Sequence, residues 1–333
     1  MASAQDVVSN KKLRMFTCLT VLVLIFLAGH LLWTNGIQKQ LPRSLFFNEK
    51  WHNKILTSES LKNNKDHIWF LETSYRRRLK AREACSIESA CRHNADYTVH
   101  LLSTGNISSS YCPYHRLLSK LPNFRSAGLN ARKELAATPL AKLHAKEGAL
   151  NRSPDKVEHL SDFLRCVVLW KRGGVYLDMD VIVMKSLKGI RNSVVYENEN
   201  GSVANSILFF DKKHPVLRAL IDECARVYNP GVWTSCGPLL MSRLPSDAVF
   251  SRRINFLHPS TFFGVGFPSW RILFDPSKVP AVFRAINGSH GVHIWNKLSA
   301  KKRVVAGSGC AIDILAHEHC PQVYKLAALK KYI

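Results

Sequence analysis

Apolar residues form a few long runs in this chain, and the longest run comes first. Residues 15–33 are 19 residues long and contain no Asp, Glu, Lys or Arg. A run of this length is sufficient to cross a bilayer as a helix. Lys11, Lys12 and Arg14 precede it, and such residues stay on the cytosolic side. The pattern predicts a cytosolic tail at 1–14 and a single transmembrane signal anchor at 15–33.

The segment after this anchor is polar and irregular. Residues 34–65 show no sustained helical or strand period, which is typical of a stem. A short apolar strand is predicted at 67–71, and the lumenal domain is expected to occupy 66–333, enough for one α/β domain with its own core. A cleaved signal peptide is the alternative to the anchor, although the apolar core of a signal peptide is usually shorter.

A helical pattern lies near the middle of the chain. Apolar residues occur at 160, 163, 164, 167 and 168, the spacing of an amphipathic helix. Ser161 is its predicted N-cap, and the glycine pair 173–174 is expected to end it. Asp162 and Arg165 are three residues apart, so they share one helix face. They form either a local ion pair or part of a binding site.

Two aspartates follow inside a β-branched segment. Residues 173–183 are predicted to form a buried strand, in which Tyr176, Asp178 and Asp180 point to one side. Buried carboxylates this close together need a partner or a cation, and Mn²⁺ or Mg²⁺ prefers such oxygen ligands. The alternative, two solvent-exposed aspartates at a strand end, is disfavoured by the apolar flanks. Phosphatases also use an Asp-x-Asp motif, but on their first strand, whereas this motif lies in mid-chain.

The net charge, the cysteines and the sequons indicate the partners and the environment of the protein. The formal net charge is +23, but the basic residues are dispersed and no nucleic-acid-binding signature is present, so no nucleic-acid partner is expected. Eight of the nine cysteines follow the anchor, where disulfides form, and their pairing cannot be read from spacing. Cys166 is expected to be a buried free thiol. Sequons predict glycosylation at Asn106, Asn200 and Asn287.

The chain resembles the α-1,4-glycosyltransferases that carry a DXD sugar-binding region. The resemblance extends over about residues 67–325. It is carried by motifs at 70–74, 85–90, 138–140, 161–165, 173–180, 233–238 and 293–297. Two positions differ from the family pattern. Met179 stands where Thr is common, and Cys236 stands where galactosyl members tend to have Gln.

This resemblance implies a GT-A-type nucleotide-sugar-binding fold, an α/β domain around a central mixed, mostly parallel sheet. It also implies a metal-dependent, retaining hexosyltransferase of the Golgi membrane. The implied reaction moves galactose from UDP-galactose in α-1,4 linkage onto a galactose- or GalNAc-terminated glycolipid or glycan such as lactosylceramide. UDP-GlcNAc and UDP-GalNAc are the alternative donors. A phosphatase and a catalytically silent lumenal sugar-binding protein are the alternative functions.

The resemblance also assigns roles to individual residues. The implied catalytic residues are Asp162, Arg165, Asp178 and Asp180. The implied donor-binding residues are Phe70, Asp162, Arg165, Tyr176, Asp178, Asn205 and Trp295. Asp178, Asp180 and His293 are implied as ligands of Mn²⁺ or Mg²⁺, and Trp233, Gly237 and Pro238 as the acceptor pocket.

Overall fold

Nine strands build two sheets in residues 66–333, which are the residues that the computed structural model describes. The strands are β1 (His67–Glu72), β2 (Thr98–Ser103), β3 (Phe124–Gly128), β4 (Gly174–Leu177), β5 (Val181–Val183), β6 (Ser193–Tyr196), β7 (Val203–Phe210), β8 (Asn255–Leu257) and β9 (Gly291–His293). The predicted tail, anchor and stem lie outside the described residues. Within 66–333, no helix is long and apolar enough to cross a membrane.

The main sheet has the strand order β3-β2-β1-β4-β7-β6-β8. Four of its six pairings are parallel, and β7 is antiparallel to both of its neighbours. The prediction of a mixed, mostly parallel sheet is therefore confirmed. The predicted strand at 67–71 is β1, and its nearly continuous apolar sequence fits a central position in the sheet.

Twelve α-helices surround the sheets in the described part of the chain. They are α1 (Ala81–His93), α2 (Pro113–Leu118), α3 (Ala131–Leu135), α4 (Leu140–His144), α5 (Lys156–Arg172), α6 (Pro215–Val227), α7 (Pro238–Met241), α8 (Ala248–Ser251), α9 (Val279–Ala285), α10 (Asn296–Ser299), α11 (Ala311–His319) and α12 (Pro321–Ala328). Short 3₁₀ turns lie between them, the longest at Phe267–Phe274.

The apolar core follows the alternation of the strands. Ile68 and Phe70 of β1 belong to the cluster that also holds the apolar side chains of α1, α11 and α12. Trp69 and Leu71 are buried but do not belong to that cluster, because successive strand residues point to opposite faces. Helix α5 packs against α6, β1 and β4. Both faces of the sheet are thus covered.

Helix α5 is longer than the apolar spacing predicts. It begins at Lys156 with Asp155 at its N-cap position, so the prediction of Ser161 as N-cap is wrong. The first turn is polar, and Glu158 there suits the positive end of the helix dipole. The helix ends as predicted at Gly173, whose φ of 70° favours glycine. A Cβ at Gly173 would also lie 2.6 Å from the backbone nitrogen of Lys212.

Two disulfides are formed within the described chain, one between distant and one between nearby cysteines. Cys85 of α1 pairs with Cys320, which lies between α11 and α12, and Cys224 of α6 pairs with Cys236. Cys166 is a buried free thiol, as predicted. The first disulfide is accompanied by a second link, because Glu88 of α1 accepts hydrogen bonds from the first backbone N–H groups of α12.

We expect the two disulfides to contribute unequally to stability. Cys85 and Cys320 are 235 residues apart, and Cys224 and Cys236 only 12. On the chain-entropy argument, replacing the first pair by alanine should lower the free energy of unfolding by about 2 to 3 kcal/mol more than replacing the second. Denaturant unfolding of the two double variants measures this difference. Equal losses, or a larger loss for the short loop, would contradict it.

Candidate active site

The two aspartates lie in a turn between two sheets. Strand β4 ends at Leu177 in the main sheet, and β5 begins at Val181 in the small sheet, so Asp178 and Asp180 occupy the connection. The prediction that both lie within one strand is therefore wrong. The chain has to leave one sheet and enter the other at this point. The turn is held by hydrogen bonds from Asp178 N–H to the Ser206 carbonyl (2.8 Å) and from Val181 N–H to the Asp178 carbonyl (3.2 Å).

The small sheet brings a histidine to this turn. Strands β5 and β9 are antiparallel, with Val181 opposite His293. As a result, ligand atoms of Asp178, Asp180 and His293 all lie within 4.8 Å of one another. His293 Nε2 is 3.3 Å from Asp180 Oδ1, while Asp180 Oδ2 accepts a hydrogen bond from the Asn296 N–H at 2.8 Å. The three residues implied as metal ligands are thus together.

The donor atoms of this cluster suit a divalent cation. Two carboxylates and one imidazole are ligands that Mn²⁺ accepts, and Mg²⁺ prefers oxygen ligands. The Nδ1 atom of His293 is buried and has no hydrogen-bond partner among residues 66–333. A buried polar atom without a partner is costly, so a ligand at this position would also stabilise the histidine. The residues present therefore fit a metal ion.

The electrostatics distinguish the two aspartates. Burial acts to raise the pKa of Asp180, but the charge and hydrogen bond of His293 outweigh it, and this pKa is lowered. Burial acts to lower the pKa of His293, but Asp180 outweighs it, and that pKa is raised. Asp180 and His293 thus stabilise each other's charged forms, and they form an ion pair when His293 is protonated. Burial raises the pKa of Asp178, although Arg165 offsets this in part. The positive charge near Asp178 is therefore not enough to compensate for its burial.

Arg165 of α5 joins most of the implied donor-site residues. Its Nη2 atom lies 3.1 Å from Asp162 Oδ1 and 3.5 Å from Asp178 Oδ1. Its Nη1 donates to the Asn205 carbonyl at 2.8 Å, and Nη2 donates to Ser161 Oγ at 3.0 Å. The guanidinium is almost fully buried, with its side chain 6% exposed. Asp162 and Arg165 do share one helix face, and they pair there next to the diacid turn.

Tyr176 supports the same group of residues from β4. Its ring is fully buried, and the Arg165 guanidinium lies 4.7 Å from the ring centroid. Its hydroxyl donates a hydrogen bond to Asp178 Oδ1, so Tyr176 and Asp178 point to the same side as predicted. Burial raises the pKa of Tyr176 well above its usual value, which keeps the hydroxyl protonated as a donor.

Asp162 is enclosed by Asn205 and by the segment that precedes α7. Asn205 Nδ2 donates to Asp162 Oδ1 at 2.8 Å. A Cβ at Gly237 would lie 2.6 Å from Asn205 Nδ2 and 2.9 Å from Asp162 Oδ2, so this position has no room for a side chain. Pro238 begins α7 directly afterwards, and Cys236 is held to α6 by its disulfide. Burial, opposed by Arg165, raises the pKa of Asp162 to about 6.

Trp295 packs against His293 and is almost fully buried. Its ring centroid is 4.3 Å from that of His293, its Nε1 donates to the Val265 carbonyl at 2.9 Å, and only 8% of the residue is exposed. Its φ of 55° is unusual for a bulky residue. This conformation turns the chain so that the following Asn296 N–H reaches Asp180.

The remaining residues implied by the resemblance lie in different environments. Phe70 is fully buried in the apolar core, so the part of β1 that could meet a donor is its carboxyl end, not Phe70. Trp233 is 49% exposed, and Lys297 Nζ lies 5.7 Å from the centroid of its ring. The sequon residues Asn106, Asn200 and Asn287 are all exposed, which leaves them accessible for glycosylation.

The sequence pattern assigns no role to two further acids, Glu197 and Glu72. Glu197, after β6, interacts electrostatically with His293, and burial raises its pKa. Glu72, at the end of β1, is 1% exposed, and its Oε2 has no hydrogen-bond partner among residues 66–333. Glu72 is part of the 70–74 motif, which gives it no role in the site. Glu197 lies in a polar loop sequence, and its position depends on tertiary structure alone.

Two family models match most of the described chain. Residues 80–200 match the glycosyltransferase sugar-binding region containing the DXD motif. Residues 209–327 match the α-1,4-glycosyltransferase conserved region. The fold and the Asp178–Asp180 turn thus belong to a glycosyltransferase of the DXD type.

Two human proteins are similar over most of their length. Lactosylceramide 4-alpha-galactosyltransferase is 30% identical over 281 residues, which cover 80% of this chain and 78% of the relative. Alpha-1,4-N-acetylglucosaminyltransferase is 28% identical over 287 residues, 80% and 82% of the two chains. This chain therefore belongs to the α-1,4-glycosyltransferase family. The phosphatase alternative has no support from these matches.

Similar solved structures are more distant. The PaToxG glycosyltransferase is 17% identical, with a TM-score of 0.43 over 61% of this chain and 75% of that chain. The galactosyltransferase LgtC is 15% identical, with a TM-score of 0.39 over 78% and 95% of the two chains. Because both TM-scores lie below 0.5, the family assignment depends on the sequence matches.

We expect replacement of Asp162 by Asn to change how stability depends on pH. The folded-state pKa of about 6 lies above the ordinary value of 3.8, so folding favours the protonated acid. Between about pH 4 and 6 the folded wild type binds more protons than the unfolded chain, and its stability from this group falls as pH rises. Denaturant unfolding should therefore show that the Asn variant gains stability relative to the wild type as the pH rises across this range. If the free energies of unfolding of the two proteins changed in parallel with pH, the raised pKa of Asp162 would be contradicted.

Proposed function

We propose that this protein is a metal-dependent, retaining α-1,4-hexosyltransferase with a GT-A-type fold that uses a UDP-sugar. The observation that supports this best is the grouping of Asp178, Asp180 and His293 beside the buried Arg165–Asp162 pair. The location at the carboxyl ends of β1 and β4 also fits, because ligands of α/β sheets bind at that edge.

In this proposal Asp178, Asp180 and His293 hold the metal ion. The bound cation would offset the negative charge that develops on the UDP diphosphate when the anomeric bond breaks. The chain prepares this position in two ways. Asn296 fixes one oxygen of Asp180, and Tyr176 fixes one oxygen of Asp178.

Asp162 and Asn205 are placed to orient the donor sugar. They are hydrogen-bonded to each other, and Asp162 shares the Nη2 atom of Arg165 with Asp178 of the diacid turn. Arg165 contacts Asp162, Asp178, Asn205 and Ser161 at once. We therefore propose that Arg165 positions these groups and does not itself bind a phosphate.

Retention follows in this proposal from attack on the same face that the leaving group occupies. The bond from the anomeric carbon to the diphosphate oxygen breaks, and a bond to the acceptor oxygen forms. The acceptor proton passes to the departing phosphate. NMR assignment of the product anomer tests retention, and an inverted product would contradict the retaining mechanism.

The names of the relatives indicate which substrates to test first. UDP-galactose with a galactose-terminated glycolipid such as lactosylceramide is our first choice, and UDP-GlcNAc is the alternative donor. We also propose a Golgi membrane location, single-pass type II, with the catalytic domain lumenal. The exposed sequons and the two disulfides support an oxidising, lumenal environment.

A donor screen tests the proposed function. The purified protein is incubated with Mn²⁺ and UDP-galactose, UDP-GlcNAc or UDP-GalNAc, with lactosylceramide or simple β-galactosides as acceptor. We expect transfer from one donor and slower hydrolysis of the same donor without acceptor. Absence of both with every donor would leave the silent sugar-binding protein as the better description.

We expect Asp180→Asn to eliminate binding of UDP with Mn²⁺ and Met179→Thr to leave it unchanged. Asp180 contributes a carboxylate to the cluster, and a neutral amide is a weaker ligand. Met179 lies between the two acids in sequence but packs against the apolar core, so it serves as the matched control. Calorimetry with Mn²⁺ and UDP measures both variants. Undiminished binding by Asp180→Asn would contradict the metal site.

A further inference from the structure

Two exposed segments, one before α11 and one after α12, pair with each other. Val305 forms an antiparallel bridge with Tyr332, and the Ile333 N–H donates to the Val304 carbonyl at 2.9 Å. This backbone pairing makes the exposed side chains of the two segments neighbours. We call the resulting surface the basic patch, and its members are Lys301, Lys302, Arg303, Val305, Leu329, Lys330, Lys331 and Tyr332.

The basic patch exposes three large apolar side chains. Leu329 is 80% exposed, more than any other large apolar residue in 66–333, and Val305 and Tyr332 are 49% and 41% exposed. The Arg303 guanidinium lies 5.1 Å from the centroid of the Tyr332 ring, so charged and apolar groups are in contact here. Exposed apolar side chains that are bordered by polar ones commonly mark a surface that binds a protein or a membrane.

The charge of the basic patch has one sign. All five of its charged side chains are basic and exposed, and the segments 300–306 and 325–333 contain no Asp or Glu. Asp313 lies between these segments in sequence, but it is buried and accepts hydrogen bonds from two glycine N–H groups. Glu318 is exposed but precedes α12, whose other end leads to Leu329. Such a surface attracts an anionic partner.

The combination of charge and apolar side chains favours a lipid bilayer as that partner. Leucine and tyrosine side chains enter the boundary between headgroups and acyl chains, and nearby lysines bind anionic headgroups. A soluble anion would make no use of the exposed Leu329. A second copy of this chain is disfavoured, because a symmetric contact through the basic patch would place like charges opposite each other. The anchor predicted at 15–33 would also keep the domain beside a bilayer.

Arg82 of α1 connects the basic patch to the candidate active site. Its guanidinium donates to Asn296 Oδ1 at 3.1 Å, to Ser299 Oγ at 2.9 Å and to the Lys302 carbonyl. The backbone N–H of Asn296 in turn donates to Asp180. A bilayer bound at the basic patch would therefore hold the metal cluster in a defined orientation to the lipid surface.

We propose that the basic patch, formed where residues 301–305 meet residues 329–332, is a membrane-contact surface that binds anionic lipid headgroups. It would act in addition to the predicted anchor, which would tether the domain without fixing its orientation. This inference goes beyond the proposed function and does not depend on which donor or acceptor the protein uses.

Binding to separate vesicles tests the basic patch without interference from the predicted anchor. The full chain is reconstituted in phosphatidylcholine nanodiscs and then mixed with vesicles, either of phosphatidylcholine alone or of an equal mixture with phosphatidylserine. We expect the discs to float with the phosphatidylserine vesicles, to detach at high salt and to ignore the neutral vesicles. Flotation with both kinds of vesicle alike, or with neither, would overturn the proposal.

Charge reversal locates the binding surface. Lys330→Glu combined with Lys331→Glu should lower the partition coefficient onto phosphatidylserine vesicles about tenfold or more. The matched control is Arg132→Glu with Lys133→Glu, which changes the net charge equally at exposed positions of α3, a helix that packs against α5. The control should keep most of the binding. An equal loss in both double variants would show attraction by the overall charge and would overturn the basic patch.

A neutral substitution tests the bilayer as the occupant. Leu329→Ser leaves the charge unchanged and removes the most exposed apolar side chain, so vesicle binding should fall about threefold or more. Undiminished binding by this variant would mean that only charge is recognised, and it would contradict insertion into a bilayer.

Lysine footprinting needs no substitution. The wild type is reconstituted in neutral discs or in discs with phosphatidylserine, and lysine acylation is read by peptide mass spectrometry. We expect slower acylation of Lys330 and Lys331 in the anionic discs and unchanged acylation of Lys133. Equal rates in both discs, or slowing that includes Lys133, would contradict the proposal. Slowing that depends on protein concentration rather than on lipid would identify a second copy as the occupant and would overturn it.

Discussion

A buried arginine is the constraint on which the site depends. Arg165 cannot lose its charge, and a buried guanidinium is stable only when its donors are satisfied. Here the partners are Asp162, Asp178, the Asn205 carbonyl and Ser161. These partners come from α5, from the turn after β4 and from β7. Satisfying one side chain therefore fixes the relative positions of three elements, and with them the acids assigned to the donor.

The small sheet of β5 and β9 adds His293 to the cluster of Asp178 and Asp180. Strand β5 pairs with β9, which comes more than 100 residues later in the chain, and this register alone brings His293 to the diacid turn. The left-handed conformation of Trp295 then directs the Asn296 N–H at Asp180. The cost of that conformation is offset by the buried ring, which is hydrogen-bonded to the Val265 carbonyl and packed against His293.

The sequence predicts local features of this site better than long-range ones. The helix face shared by Asp162 and Arg165, the glycine stop at 173 and the β1 strand all follow from spacing, because they involve neighbouring residues. The pattern predicts strand at the Asp178 turn, since the β-branched run continues through it and nothing local shows that β4 and β5 belong to different sheets. The approach of Glu197 to His293 and the match of Gly237 to Asp162 depend on the tertiary fold, so spacing could not show them.

The charge balance explains why the cluster suits a cation. Asp180 is already paired with His293, and Arg165 divides its charge between Asp162 and Asp178. One arginine does not offset both acids, so the loss of water around them keeps the pKa values of Asp162 and Asp178 raised. Glu197 adds another acid near His293. The folded chain thus holds an excess of carboxylates in a partly buried region, and a divalent ion held by Asp178, Asp180 and His293 would supply the charge that the protein itself does not.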